Sequence, residues 1–169
     1  MGRSYAGLFA ARVLGDHAGE VVVVEPDAIG EDGVGSRTPQ RRQLHALLSM
    51  GHVQLERWFP GVTDELVAGG ARLGEGDDVR FYLDGRLKAP AAGARMLGAT
   101  RPFLESHLRR RVRGLEQVRF LGAEVTDLLV RGGRAAGVVT SSGETLEADF
   151  VVDATGRSSR LGAWLTRHG

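Results

Sequence analysis

The chain has 169 residues, 42% hydrophobic and 25% charged, with a net charge of +1, the length of roughly one ~150-residue domain with an ordinary globular balance. It has no cysteine, which excludes disulfides, iron–sulfur clusters and cysteine-ligated zinc, and no metal site is expected. The near-neutral charge sets up no field for nucleic acid or a membrane surface, and no apolar run approaches the ~20 residues that span a bilayer. The start, Met1-Gly-Arg-Ser-Tyr5, lacks the charged-then-apolar layout of a secretory signal, so a soluble cytoplasmic protein is expected.

Tyr5–Leu14 combines strong helix formers with an apolar face. After a break at Asp16–Gly19, Glu20-Val-Val-Val-Val-Glu25 is a continuous β-branched run of the kind that suits a parallel strand buried on both faces. Pro26 ends it, and a Gly/Asp/Pro-rich loop follows to residue 39. The spacing of Leu44, Leu47, Leu48 and Leu55 predicts a helix over Gln40–Phe59, stopped by Pro60. A short helix is expected to open at Thr63 as N-cap and end at Gly69-Gly70. Asp84-Gly85 between Val79-Arg-Phe-Tyr-Leu83 and Arg86-Leu-Lys88 reads as a hairpin, because Asp-Gly is a strong turn signal. Residues 89–99 read as a small-residue loop. Arg101–Arg113 is a predicted helix with Thr100 as N-cap and Pro102 in its first turn. Four short strands follow (Val118–Leu121, Glu124–Val130, Ala136–Thr140, Thr145–Ala148), then a last buried strand at Phe150–Asp153 and a C-terminal helix. Helices alternating with parallel-type strands around a meander predict an α/β fold.

Two constellations carry chemistry. Gly2-Arg-Ser-Tyr-Ala-Gly7 fits G-x-S-x-x-G, a variant of the dinucleotide turn G-x-G-x-x-G. The first glycine permits a sharp strand-to-helix turn, the small Ser4 lets the backbone approach a pyrophosphate, and Gly7 lets the helix pack close to the strand. The helix N-terminus then offers N–H groups to phosphates. Alone, the motif is equally a glycine-rich turn before a helix. Glu25 follows Gly7 by 18 residues, where the fingerprint places an acid that binds ribose hydroxyls; its plain alternative is a solvated strand end. In Phe150-Val-Val-Asp-Ala-Thr-Gly156 a buried strand ends in small residues that let the chain pass near a cofactor. A strand followed by an ordinary turn is the alternative.

Taken together, GRSYAGLFAARVL (Gly2–Leu14), VVVVE (Val21–Glu25), TRPFLESHLRRRV (Thr100–Val112) and ADFVVDATGRSSR (Ala148–Arg160) resemble the N-terminal part of flavin-dependent monooxygenases of the aromatic-hydroxylase type, with their glutathione-reductase-like FAD fold. The resemblance covers nearly the whole chain. It implies a Rossmann-like FAD/NAD(P)-binding domain with an inserted β-meander over residues 1–169, and part of a substrate domain at 78–98. It implies FAD as cofactor, NAD(P)H as reductant and a small organic substrate. Gly2, Ser4, Ala6 and Gly7 would line the pyrophosphate and Glu25 the adenosine ribose. Arg101 would approach the flavin or pyrophosphate, or be a solvated helix-start arginine. Arg42 would meet a phosphate or ribose, with His45 a weaker choice. Val125 would hold adenine through backbone groups, and Ala154, Thr155 and Gly156 would pass along the cofactor. No acid/base pair reads as catalytic; His45 and His107 are expected to be structural.

The sequence also departs from that family. Only Met1 precedes Gly2, so the buried first strand expected ahead of the glycine turn is missing, and its loss would leave strand edges unpaired. The chain ends at Gly169, before a substrate sheet and a later Gly-Asp motif. A truncated or split polypeptide, poorly stable and inactive alone, is the expectation, with a completing chain or homo-oligomer as partner. An isoprenoid-type flavin reductase, a flavin halogenase, a non-catalytic remnant and an NAD-dependent dehydrogenase domain remain as alternatives.

Overall fold

The computed structural model describes residues 4–26, 44–90, 93 and 95–169. In chain order it has α1 (Tyr5–Leu14), β1 (Val21–Val24), β2 (Leu44–Leu47), α2 (Ser49–Trp58), α3 (Val62–Ala68), β3 (Arg72–Gly74), β4 (Tyr82–Leu83), β5 (Arg86–Leu87), β6 (Met96–Thr100), α4 (Arg101–Arg113), β7 (Val118–Leu121), β8 (Val125–Arg131), β9 (Arg134–Thr140), β10 (Thr145–Glu147) and α5 (Leu161–His168). The α/β fold expected from the sequence is the fold observed. The chain divides into two compact units, one built from residues up to Gly30 and from Leu108 onward, the other mainly from Thr38–His107.

In the first unit, β1 pairs in parallel with β7, Val21 opposite Val118 and Val24 opposite Leu121. The four valines are apolar on both faces, as a strand covered on both sides requires. α1 buries Gly7, Leu8 and Ala11 and packs on β1. The meander β8–β9–β10 is antiparallel. Leu128 and Val138 pack there with Trp164 of α5, joined by Val125, Leu146, Val151 and Leu161. Asp127 of β8 accepts hydrogen bonds from Arg167 at 2.6 Å and His168 at 3.2 Å, which ties α5 to the meander. Gly137 is indispensable to β9: its φ is 144°, and a Cβ there would overlap the Leu146 carbonyl oxygen of β10.

In the second unit, β6 lies between β2 and β3, antiparallel to both. Leu55, Phe59, Val62, Leu66, Leu97 and Leu104 are fully buried. The β4–β5 hairpin turns through Asp84 and Gly85, both at positive φ, as a two-residue type I′ turn requires.

Four expectations are corrected. The helix predicted from Gln40 begins only at Ser49, because Leu44–Leu47 is a strand on β6; the leucine spacing fits either period, and cross-strand pairing decides. Residues 40–43 lie outside the described residues. The expected loop at 89–99 contains the first four residues of β6, a central strand defined by its pairing with β2 and β3. Thr63 is not the N-cap of α3: Gly61, at φ 78°, takes that place. Phe150–Asp153 is in no strand, and Phe150 is 70% exposed. A ladder needs a paired strand, and no strand pairing of this segment is present among the described residues.

Candidate functional site

The parallel pair sets the geometry. β1 runs toward Glu25, and α1, linked to it by a short turn, runs back along it. The N-terminus of α1 therefore lies at the carboxyl end of β1, where ligands bind in open parallel sheets. Ser4 is extended (φ −81°, ψ −173°) and its side chain makes no cap bond to the helix. The first turn of a helix carries N–H groups that have no partner within the helix, the feature that suits a helix start to anions. Gly7 is buried, which fits close packing of helix on strand. Glu25 is half-buried, and its backbone N–H is held by Leu121 oxygen at 3.0 Å, so β7 fixes where its carboxylate starts.

The Asp153–Gly156 segment is an Asx turn. The Asp153 carboxylate accepts from the Thr155 backbone N–H at 2.9 Å and from the Thr155 hydroxyl, a local bond that substitutes for a backbone turn. Its other oxygen accepts from the Ser159 hydroxyl. Burial acts to raise the Asp153 carboxyl, but the hydrogen bonds from Ser159 and Thr155 outweigh it and hold it below its usual range. Gly156, at φ 66°, turns the chain onward without a Cβ penalty. Gly7 and Ala154 line one cleft of about 650 Å³, together with β1, Gly137 and Phe150–Val152.

The remaining expected residues are placed differently. Gly2 and Arg42 lie outside the described residues. Ala6 is exposed on α1 and Thr155 is exposed in the Asx turn. Val125 opens β8 opposite Thr140, with its side chain against the meander core. Arg101 belongs to the second unit, where its Nε donates to Glu105 Oε1 at 3.1 Å; Glu105 has no exposed surface. Arg101, 20% exposed, is thus paired with a fully buried carboxylate. His107 stacks on Phe103 within α4, ring centroids 4.5 Å apart, and its ring nitrogen lies 3.3 Å from the Phe103 carbonyl.

Sequence reasoning missed one buried polar network. Glu56, at the end of α2, accepts from the backbone N–H of Gly61 and Thr63 and from the Thr63 hydroxyl. Thr63 Oγ1 in turn lies 2.9 Å from His52 Nε2. The hydroxyl has one proton and gives it to the carboxylate, so it accepts from His52, which fixes the ring proton on Nε2. Burial raises Glu56, but its hydrogen bonds from Thr63 and Gly61 and the nearby His52 lower it further. The visible signal was a glutamate one turn ahead of Pro60-Gly61; it caps α3 from outside that helix.

Comparison with known proteins follows this geometry. Residues 64–166 match the family model described as glucose inhibited division protein A, more than half the chain. The chain belongs to the glucose inhibited division protein A family. It is 36% identical over 194 residues to Protein Rv3254 of Mycobacterium tuberculosis, covering 100% of this chain and 40% of that protein. The chain thus spans less than half the length of this curated relative. Among solved structures, PqsL of Pseudomonas aeruginosa, a probable FAD-dependent monooxygenase, is similar with TM-score 0.74 at 20% identity, over 98% of this chain and 44% of that one. The tetrameric form of 2-methyl-3-hydroxypyridine-5-carboxylic acid oxygenase follows with TM-score 0.61 at 21% identity, over 88% and 36%. MibH, a tryptophan 5-halogenase, gives TM-score 0.65 at 18% identity, over 92% and 38%. At these identities the likeness is one of fold: this family member has the fold expected from its resemblance to flavin-dependent monooxygenases. No helix among the described residues is long and apolar enough to cross a membrane.

Proposed function

We propose that this chain is the FAD-binding part of a flavin-dependent monooxygenase that uses NAD(P)H and O2 on a small organic substrate. One observation carries the reading. The start of α1, where Ser4 makes no side-chain cap bond, Glu25 at the end of β1 and the Asx turn at Asp153 belong to one compact unit. An adenosine diphosphate moiety needs that set: N–H groups for the pyrophosphate, an acid for the ribose diol, and small residues where backbone and cofactor come close. The donor chemistry therefore fits FAD.

Within that reading, α1 binds the pyrophosphate through its first-turn amides. Ser4, Ala6 and Gly7 keep the approach open, and Gly2 would extend that contact. Glu25 orients the ribose by accepting two hydroxyl hydrogen bonds. Val125 would meet adenine through its backbone, and Ala154, Thr155 and Gly156 would border the cofactor while Asp153 holds their turn in shape. Arg42 is the proposed further phosphate or ribose contact. Arg101 would reach the cofactor only while also serving Glu105. When bound, FAD supplies the redox chemistry that links NAD(P)H oxidation to O2; the reaction and its substrate belong to the whole protein. The reading is tested by titrating FAD and riboflavin, followed by flavin fluorescence, into the chain and its Glu25→Ala variant. Losing the ribose bonds is expected to weaken FAD about 10-fold or more, at ~1.5–3 kcal/mol for hydrogen bonds to a charged group. Equal FAD affinity in the two proteins refutes the role of Glu25.

A further inference from the structure

A second cavity, of about 300 Å³, is lined entirely by residues of the second unit. That volume is at the small end of the ~300–1,000 Å³ typical of ligand pockets. One face of α2 lines it: His52 and Glu56 stand one helical turn apart, as do Val53 and Arg57. Arg95, just ahead of β6, lines it from a second segment. Glu56 is already committed, because its oxygens accept from the Gly61 N–H and from the N–H and hydroxyl of Thr63. Thr63 in turn accepts from His52 Nε2 at 2.9 Å, so the ring proton sits on Nε2 and Nδ1 keeps a lone pair. His52 is only 5% exposed, and its Nδ1 has no hydrogen-bond partner among the described residues. Nε2 is turned to Thr63, so Nδ1 is the ring nitrogen left for the cavity. A largely buried acceptor without a partner is costly, and a ligand that donates to it removes that cost.

The two arginines bring positive charge to the same cavity. Arg57 lies over the Trp58 ring at 5.2 Å, a contact made by the face of the guanidinium that leaves its N–H edge for an anion. Arg95 Nε stands 3.8 Å from Glu75, beyond hydrogen-bond distance, while Glu75 accepts the Gly93 N–H at 3.0 Å. We propose that this cavity binds a small hydroxycarboxylate, its carboxylate held by Arg57 and Arg95 and its hydroxyl donating to His52 Nδ1. An arginine presents a planar fork of N–H donors that matches a carboxylate. Exposed arginines alone would simply be solvated; the buried acceptor beside them selects a ligand that also carries a donor. A plain carboxylate lacks that donor, and sulfate has no proton to give. Val53 offers the carbon skeleton an apolar neighbour. The inference does not rest on the flavin reading, and its test contains no cofactor.

Mandelate, phenylacetate and methylbenzyl alcohol are titrated in turn into the chain, with the histidine ring nitrogens followed by NMR. The His52 signals are identified as those missing from His52→Gln. The free chain is expected to show the proton of His52 on Nε2, and mandelate is expected to move the Nδ1 resonance. Phenylacetate, which lacks the hydroxyl, should bind about 5-fold more weakly than mandelate. Methylbenzyl alcohol, which lacks the carboxylate, should not compete. Arg95 is exposed, so Arg95→Gln keeps the fold, and it should weaken mandelate about 10-fold; Arg80→Gln, outside the cavity, should change nothing. Equal affinity for mandelate and phenylacetate overturns the proposal, as does full affinity in Arg95→Gln. A His52 proton found on Nδ1, or no saturable binding of mandelate, overturns it as well.

Discussion

Gly137→Ala tests whether the β9–β10 contact is as close as the structure has it. Alanine would have to adopt φ 144°, a region reserved for glycine that costs ~1–3 kcal/mol for any other residue. Its Cβ would also overlap the Leu146 carbonyl oxygen and stand 3.0 Å from Glu147 Cα. Both atoms belong to backbone, so no rotamer change relieves the clash and β10 must move away. The nearest bonds at risk are Ala148 N–H to Ala136 oxygen at 3.0 Å and Thr140 N–H to Glu144 oxygen at 2.9 Å, each contributing about 0.5–1.5 kcal/mol. Strain and lost bonds together give a destabilisation of about 3–5 kcal/mol, a large share of a typical ~5–15 kcal/mol. For a chain of this size that lowers Tm by about 6–20 °C. The assay is chemical and thermal unfolding beside Gly122→Ala, where nothing lies within 4 Å of the added Cβ and little change is expected. A Gly137→Ala loss below ~1 kcal/mol, no larger than a routine surface change, would refute the close approach of β9 and β10.

Thr63→Val removes the hydroxyl that links His52 to Glu56 and strands buried polar atoms, so unfolding in urea should show a loss of about 2–3 kcal/mol, with Thr63→Ser retaining most of it. Asp153 has its carboxyl lowered in the folded state. Its contribution to stability is therefore complete above the ordinary value near ~3.9 and is lost as pH falls through the lower folded value. Asp153→Asn should flatten the acid limb of stability against pH below about pH 5, and an unchanged acid limb counts against the Asx turn. Arg101→Met removes the 3.1 Å ion pair to the buried Glu105; a loss of about 1–3 kcal/mol is expected in unfolding experiments, and no loss would mean that the pair contributes nothing.

The legible parts of the sequence were those where local pattern and tertiary environment agree. Val21–Val24 is apolar on every residue and became a covered parallel strand; Asp84-Gly85 demanded positive φ and became the hairpin turn. Tyr5–Leu14, Arg101–Arg113 and the meander strands likewise kept close to their expected bounds. Leu44–Leu47 and Met96–Thr100 were not legible, because each is defined by pairing with the other across some fifty residues, a contact no local window contains. Phe150–Asp153 has the composition of a strand but pairs with none among the described residues, so composition alone misread it. At the candidate site, spacing singles out Glu25 and small residues single out the segment after Asp153. The Glu105 partner of Arg101 sits one helical turn away, where an i,i+4 ion pair was readable. The Glu56–Thr63–His52 network was not, because its hydrogen bonds run between α2 and the start of α3.

The most direct test of the account is equilibrium dialysis of the purified chain against FAD, with ADP and FMN as competitors. The account predicts saturable binding near one FAD per chain, displaced by ADP, which shares the adenosine and pyrophosphate, and not by FMN. Binding displaced by FMN and indifferent to ADP, or no saturable binding by soluble folded chain, would contradict it.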